Sequence, residues 1–564
     1  MFLERIEISG FRGINRLSLM LDDNTILIGE NAWGKSSLLD ALTALLSPKP
    51  EFYRFNKLDF YHAWDETTVK KCDLQIILTF CEKQKGNYRL ARLRNLRPLW
   101  IGARNELKRI YLRVSGELQK DGSVETYRCF LNEQENSLQL DDNELLLREI
   151  IRLYPVLRLR DARFVNETLI NKSLKEATDN STYHDEIREK MELLTLALMD
   201  NPQELTNEEL WQGMEAMQQL IGHYFAEQGA DLFEHKNVKY KRGNNQSHSQ
   251  HRLRGWQVLD AIHRISSKPD QRNVRLIILS IFSSLLQSNS NISLDSDARP
   301  LVIIENPETR LHPIMLSISW GLMSLFSLQK ITTTNSGELL SQAPLSGVCR
   351  LIRNSSRVMA YRLGENYLTA EETRRVSFHI HFNRPSALFA RCWLLVEGET
   401  EVWLINDLAR QCGYYFESEG IKVIEFAQSG LKPLLKFANH MGIEWHTLVD
   451  GDDAGKKYAA TAKLFAEEIG DTVSNRLTSL PAPDMEHFLY RFDFSDVYHE
   501  IANIPKNVRI STRKVLAKAI QRSSKPDLAI AVANYAAKRG VTSIPLILKE
   551  MFSRVVWLAR GKIN

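Results

Sequence analysis

Nine residues near the start of the chain, Gly29-Glu30-Asn31-Ala32-Trp33-Gly34-Lys35-Ser36-Ser37, constrain its fold more than any other stretch. The segment before them, Asn24-Thr25-Ile26-Leu27-Ile28, is apolar and β-branched and predicts a short buried strand. The segment after them, residues 36–46, places Leu38, Leu39, Leu42, Leu45 and Leu46 at helical spacing. Strand, glycine loop and helix together are the context of a phosphate-binding loop. Gly29 and Gly34 free the backbone to turn its N–H groups toward a phosphate, and the helix N-terminus adds its dipole. In this reading Lys35 reaches the β- and γ-phosphates of ATP and Ser36 sits on Mg2+, with Asn31 and Ser37 in the same loop.

With 564 residues, the chain has room for about two or three domains. Charged residues make up 25% and hydrophobic residues 43%, an ordinary soluble profile. The net charge of +4 is small for this length, so any nucleic-acid surface must be a local patch. Six cysteines (Cys72, Cys81, Cys129, Cys349, Cys392, Cys412) are scattered without a C-x-x-C pair. That argues against a zinc ribbon or a disulfide framework and fits a reducing compartment. Glu4, Arg5 and Glu7 sit in a strand-like alternation, which is not a signal peptide. The longest uncharged apolar stretch, residues 314–328, is interrupted by serines and is shorter than the ~20 residues of a membrane span. A cytoplasmic protein with no membrane segment is expected.

Residues 2–28 alternate in strand fashion through Leu3, Ile6, Ile8, Ile14, Leu17, Leu19 and Leu21. Residues 74–78, 88–93, 110–114 and 126–131 predict further strands in a meander, with Asp121-Gly122 as a turn. Strands on both sides of one loop helix predict a mixed sheet. Between Arg89 and Arg113 stand eight basic residues and one acid, Glu106, either a solvated strand face or a DNA-contacting surface. Residues 165–235 are rich in Glu, Lys and Leu, with helical runs at 186–199 and 208–225, and predict an all-helical insertion able to serve as a dimer arm. A polar stretch, 241–251, reads as a loop. Helices are expected from Val258 and over 276–286. Leu301-Val302-Ile303-Ile304-Glu305 is then a buried strand ending in an acid, the way a Walker B element presents a carboxylate to Mg2+. Leu311-His312-Pro313 opens another helix, and residues 330–340 read as strand, polar turn and helix.

The loop, the Glu305 strand, the intervening helices and the Phe11-Arg12-Gly13 segment resemble ABC-type ATPase heads of the SMC and recombination-mediator kind. The resemblance implies a head-to-head dimer in which each subunit's signature loop caps the other's ATP. That loop falls on residues 253–257, with Gly255 as its nucleotide contact and Arg254 where a serine is usual. Asn306 stands where such heads carry the catalytic-base Glu, and Asn335 where they carry the switch histidine. An amide cannot accept a proton as a carboxylate does, so nucleotide binding is expected without fast hydrolysis. Glu308 is a substitute base or a helix-start acid.

Past Arg384-Pro385 the pattern restarts. Cys392-Trp393-Leu394-Leu395-Val396 is a buried strand running into Glu397-Gly398-Glu399-Thr400-Glu401 and a helix through Ala409. Residues 421–426 and 445–449 are further strands around a helix at 431–440, and the last ends in Asp450-Gly451-Asp452-Asp453. Acids therefore lie at strand C-termini, the edge where open α/β sheets hold ligands. Converging carboxylates repel one another unless divalent cations neutralise them. Glu397, Asp450 and Asp452, the last two spaced to reach the same side of a strand end, are expected to hold Mg2+ or Mn2+ for two-metal phosphodiester chemistry. Asp453 should point away.

Val-Glu-Gly followed by Asp-x-Asp resembles the Toprim fold. Nothing marks the nucleophilic tyrosine domain of a topoisomerase or the zinc module of a primase. An ATPase head with a helical insertion and a following Toprim domain is similar, over essentially the whole chain, to the OLD (overcoming lysogenisation defect) family of ATP-linked nucleases. That resemblance implies Glu401 and Glu486 as further metal ligands and Lys525, beside Pro526, as a stabiliser of charge on the scissile phosphate. It also links the chain to phage defence. Residues 501–526 carry seven basic residues and no acid, a DNA backbone track or a solvated helix face.

The expected fold is α/β, with boundaries at 1–164 and 251–384 for the two parts of an ABC-type ATPase head, 165–250 for the insertion and 385–564 for the Toprim domain. The expected function is an ATP-binding, metal-dependent DNA endonuclease acting as a homodimer or higher oligomer, with an accessory protein as a further partner. Its rival is a non-cutting, ATP-regulated DNA clamp.

Overall fold

The computed structural model describes residues 1–61, 73–159, 205–213, 297–309, 328–506 and 510–562 except 32, 50, 104, 105, 141, 355, 356, 365 and 366, together with 313, 316, 317, 320, 321 and 508. The signature segment with Gly255, the 241–251 loop, the helices at 186–199 and 276–286 and most of the 165–250 insertion lie outside the described residues. The chain divides into two compact units, residues 1–339 with 351–360 and residues 340–350 with 361–564.

The first strands form as the alternation predicts. β1 (Phe2–Phe11), β2 (Ile14–Met20), β4 (Asp73–Cys81), β5 (Arg109–Leu118) and β6 (Val124–Leu131) make an antiparallel sheet in the order β2-β1-β4-β5-β6. A second sheet has the order β11-β10-β3-β9-β8-β7. It contains β3 (Asn24–Ile28), β7 (Val156–Leu159), β8 (Leu301–Glu305), β9 (Lys330–Thr333), β10 (Val348–Asn354) and β11 (Arg357–Arg362). Within it β3, β9, β8 and β7 are parallel neighbours. The loop helix α1 (Lys35–Leu46) buries Leu38, Leu39, Leu42, Leu45 and Leu46, and α2 (Asn143–Leu153) precedes β7. A short helix, α3 (Gly337–Gln342), follows the polar turn after β9.

One expected strand is not a strand. Residues 88–93 lie in 3-10 turns, Asn87–Arg89 and Ala91–Leu99. Leu93, Leu96 and Leu99 are buried at a spacing of three, the period of a 3-10 helix, and Pro98 has no N–H for a sheet ladder. Arg94 and Arg97 consequently project from an exposed 3-10 face and not from a strand face.

The second unit carries a four-stranded parallel sheet in the order β13-β12-β14-β15. In chain order come α4 (Ala370–Val376), β12 (Cys392–Val396), α5 (Glu399–Gln411), β13 (Ile421–Glu425), α6 (Leu431–His440) and β14 (Glu444–Val449). Then follow α7 (Asp453–Glu468), α8 (Val473–Arg476), β15 (Leu477–Ser479), α9 (Met485–Leu489), α10 (Ser495–Ala502), α11 (Thr512–Arg522), α12 (Lys525–Arg539) and α13 (Leu546–Ala559). Each of β12, β13 and β14 is almost wholly buried, as parallel strands covered on both faces must be. Leu394, Leu404, Leu408, Phe488, Val532 and Phe552 join one apolar core. Together the two units have the fold class expected of a P-loop ATPase head and a Toprim α/β domain.

Candidate functional site

Strand order assembles the candidate nucleotide site. The phosphate loop leaves β3 and Glu305 ends β8, and β9 lies between them with both neighbours parallel. Parallel strands end on one edge, so residues 29–37, the turn after Thr333 and Glu305 share it. Gly34 caps α1 at φ 93°, a left-handed conformation natural to glycine, and a Cβ there would stand 3.0 Å from Ile14 Cγ1. Lys35 is buried, and its ammonium donates to Gly29 O. Burial holds its pKa below the ordinary lysine value, while Glu30 and Glu308 oppose that shift. Asn31 and Ser36 are exposed, and the Ser37 hydroxyl accepts from Gly13 N at 3.4 Å.

Glu305 receives Arg158 Nη2 at 2.9 Å and Nε at 3.0 Å. Asn306 adopts φ 44°, accessible to asparagine, with its N–H donating to Thr333 O at 3.0 Å. Glu308 accepts from Asn335 N at 2.7 Å and from the Thr334 hydroxyl at 3.0 Å, so its carboxylate braces the turn after β9.

In the other unit, β12 and β14 are adjacent and parallel, which brings Glu397 and Asp450 to neighbouring strand ends. β15 lies next to β14, and the chain beyond it returns Asp484 and Glu486 to the same edge. Gly451 makes this return possible. Its N–H donates to Ala482 O at 2.8 Å, and a Cβ would meet that oxygen at 2.5 Å. Asp450 feels Glu397, Glu401, Asp484 and Glu486, and burial with these like charges pushes its carboxyl up to about 8. Burial, then Asp452 and Glu401, raises Glu397 above the usual carboxylate range, against Lys525. Burial also raises Glu401, with Glu486 adding to it.

Asp452 joins this group for a reason other than strand alternation. It lies past the end of β14 as the N-cap of α7, its Oδ1 accepting from Gly455 N at 2.7 Å. Asp453 is exposed and pairs with Lys456. Glu401 Oε2 accepts from Gly398 N at 2.7 Å, closing the first turn of α5. Lys525 opens α12, and its Nζ stands 3.5 Å from Glu486 Oε1. Asp484, the N-cap of α9 bound to His487, escaped the sequence reading. Its only signal was the Pro-Asp-x-Glu turn leading into a helix.

Among the described residues no three His, Cys, Asp or Glu side chains already converge as a ligand set. The donors nevertheless fit a divalent cation. Glu397 Oε2 is buried with no hydrogen-bond partner, and it stands among carboxylates that repel one another.

Along the basic 501–526 run, Arg513, Lys514 and Lys518 are exposed, Lys506 pairs with Asp496, and Arg522 donates to Ala502 O. Among the described residues no helix is long and apolar enough to cross a membrane.

Residues 1–387 match the family described as "Protein of unknown function (DUF2813)", and residues 388–452 match the Toprim domain of overcoming-lysogenization-defect-like proteins. The chain is 54% identical to the uncharacterized protein YbjD of Escherichia coli (strain K12), over the full length of both. It is 23% identical to the endonuclease GajA of Bacillus cereus (strain VD045), across 81% of this chain and 76% of GajA. It is 24% identical to the Old nuclease of Escherichia phage P2, across 32% of each. With these matches added to the two sites, the chain belongs to the DUF2813 family and carries a Toprim domain of the OLD type.

Proposed function

We propose that the protein is an ATP-binding, divalent-metal-dependent DNA endonuclease whose Toprim carboxylates cut and whose ATPase head controls them. One observation carries this reading: Glu397, with an unpartnered buried oxygen, beside Asp450, whose carboxyl is pushed up to about 8 by burial and then by four neighbouring acids. Such a group is costly without a cation and well suited to one. Glu397, Glu401, Asp450, Asp452 and Glu486 would hold Mg2+ or Mn2+, which when bound supplies stabilisation of the attacking and leaving oxygens in phosphodiester displacement. Lys525 would face negative charge on the scissile phosphate. Arg513, Lys514 and Lys518 would contact the DNA backbone, whose charge is read without regard to sequence. The nuclease names of two relatives support the same reading.

In the head, Gly29, Asn31, Gly34, Lys35, Ser36 and Ser37 would hold ATP, with Glu305 and Ser36 toward its Mg2+ and Gly255 of a second copy completing the pocket of a cytoplasmic homodimer. The deciding experiment is cleavage of supercoiled plasmid with Mg2+ or Mn2+, with and without ATP, beside Glu397→Ala. Metal-dependent nicking lost in the variant is expected; nicking retained in Glu397→Ala refutes the assignment.

Asn306 favours a second reading, an ATP-regulated DNA clamp. Its backbone N–H is bound to Thr333 at the end of β9 and its side chain is no base. Robust cleavage by the purified protein would exclude it.

A further inference from the structure

Glu305 already has a cation. Arg158, on β7 beside the Glu305 strand, has a side chain only 5% exposed and places two nitrogens on Glu305 Oε2. Its third nitrogen, Nη1, reaches Asp40 Oδ1 of α1 at 2.5 Å and Thr43 Oγ1 at 3.5 Å. The other oxygen of Asp40 takes Arg12 Nη1 at 2.5 Å, and Arg12 Nε takes the fully buried Asp59 at 2.9 Å. Five side chains of alternating sign thus run from Asp59 through Arg12, Asp40 and Arg158 to Glu305 at the end of β8. One rigid guanidinium bridges its last two carboxylates.

We propose that Arg158 is an internal counter-cation that keeps the Glu305 site from taking a divalent metal until a nucleotide is bound. The inference rests on reading residues 29–37 and Glu305 as a nucleotide site. Its sign follows from charge. With Arg158 in place, part of the negative charge of Glu305 and Asp40 is offset, and a metal entering beside Glu305 meets a fixed positive charge within a few ångströms. Without Arg158, Glu305 and Asp40 lose the positive charge they share, and the space beside Glu305 draws a divalent ion more strongly. A triphosphate in the loop supplies the negative charge that outweighs Arg158, so metal and nucleotide enter together. Arg158 acts on the metal through Glu305 and is a positioning residue.

The test counts Mn2+ bound to nucleotide-free full-length protein by electron paramagnetic resonance, with Asp450→Ala in every sample to weaken the Toprim cluster. Arg158→Gln should gain one Mn2+ bound at least about tenfold tighter than in the Arg158 parent, a floor well below the full effect of removing a unit charge near a divalent ion at an effective dielectric of about 20. Adding Glu305→Gln should abolish the gain. A folded Arg158→Gln protein with no added Mn2+ overturns the proposal, as does a gain that survives Glu305→Gln. If Arg158→Gln does not fold, Arg158→Lys keeps the charge but cannot span both carboxylates. It should bind Mn2+ several-fold tighter than the parent, and an unchanged affinity counts against the proposal. Fluorescent ATP binding by the parent protein is measured separately: its absence refutes the nucleotide reading, while the nucleotide-free Mn2+ count still decides the role of Arg158.

Discussion

Lys525 Nζ stands 3.5 Å from Glu486 Oε1, a pair formed by the first turns of α12 and α9. The lysine side chain is 58% exposed and the glutamate 15%, so the cation closes the acidic cluster from its solvent side. Lys525→Met should leave the fold intact and lower cleavage by about 10²-fold, the usual loss for one preorganised charge donor. Removing a competing cation should tighten metal binding at the same time. Titrating Mn2+ alongside single-turnover cleavage checks both; a variant that loses metal affinity would contradict the placement of Lys525.

Asp450 predicts a pH effect of defined sign. Its carboxyl ionises near 3.8 in an unfolded chain and at about 8 in the fold. The folded state therefore holds the extra proton between these values. The stability this contributes is complete below about pH 4 and is lost as the pH rises toward about 8. In metal-free protein, the melting temperature of wild type relative to Asp450→Asn should fall across that window. Mg2+ should flatten the fall, because a bound cation takes the proton's place.

Gly451 is a test of assembly. A Cβ there would stand 2.5 Å from Ala482 O and 2.6 Å from Leu480 O, both backbone atoms that can yield only by moving the chain leading to Glu486. Gly451→Ala should cost about 1–3 kcal/mol of stability and abolish cleavage. Fluorescent ATP binding in the other unit should be unchanged.

Lys35 tests the head. Lys35→Ala removes a charge-assisted contact to phosphate and should weaken ATP binding at least about thirtyfold, corresponding to roughly 2 kcal/mol. Metal binding by the Toprim carboxylates should persist, and calorimetric titration of each ligand separates the two effects.

How much was legible before the fold depended on sequence distance. The 29–37 loop, the strand into Glu305, Val-Glu-Gly and Asp-x-Asp are each carried by one strand and its following turn. Apolar runs, glycines and terminal acids therefore disclosed them locally. Residues 88–93 misled because the period of three, Leu93, Leu96 and Leu99 on a buried 3-10 face, shows only beyond that short window. Asp452 was placed with the right neighbours for the wrong local reason: it caps a helix and does not extend a strand.

By itself, then, the sequence determined which segments are strands ending in chemistry, because that information is local in the chain. Only the tertiary structure decided which strand ends are neighbours. Placing β9 between β3 and β8 joins Lys35 to Glu308, and pairing β7 with β8 hands Glu305 to Arg158, 147 residues away. Placing β15 beside β14 sets Glu486 against Asp450 and Lys525. Sheet order arises from long-range burial and hydrogen bonding between separated segments, which no single segment encodes.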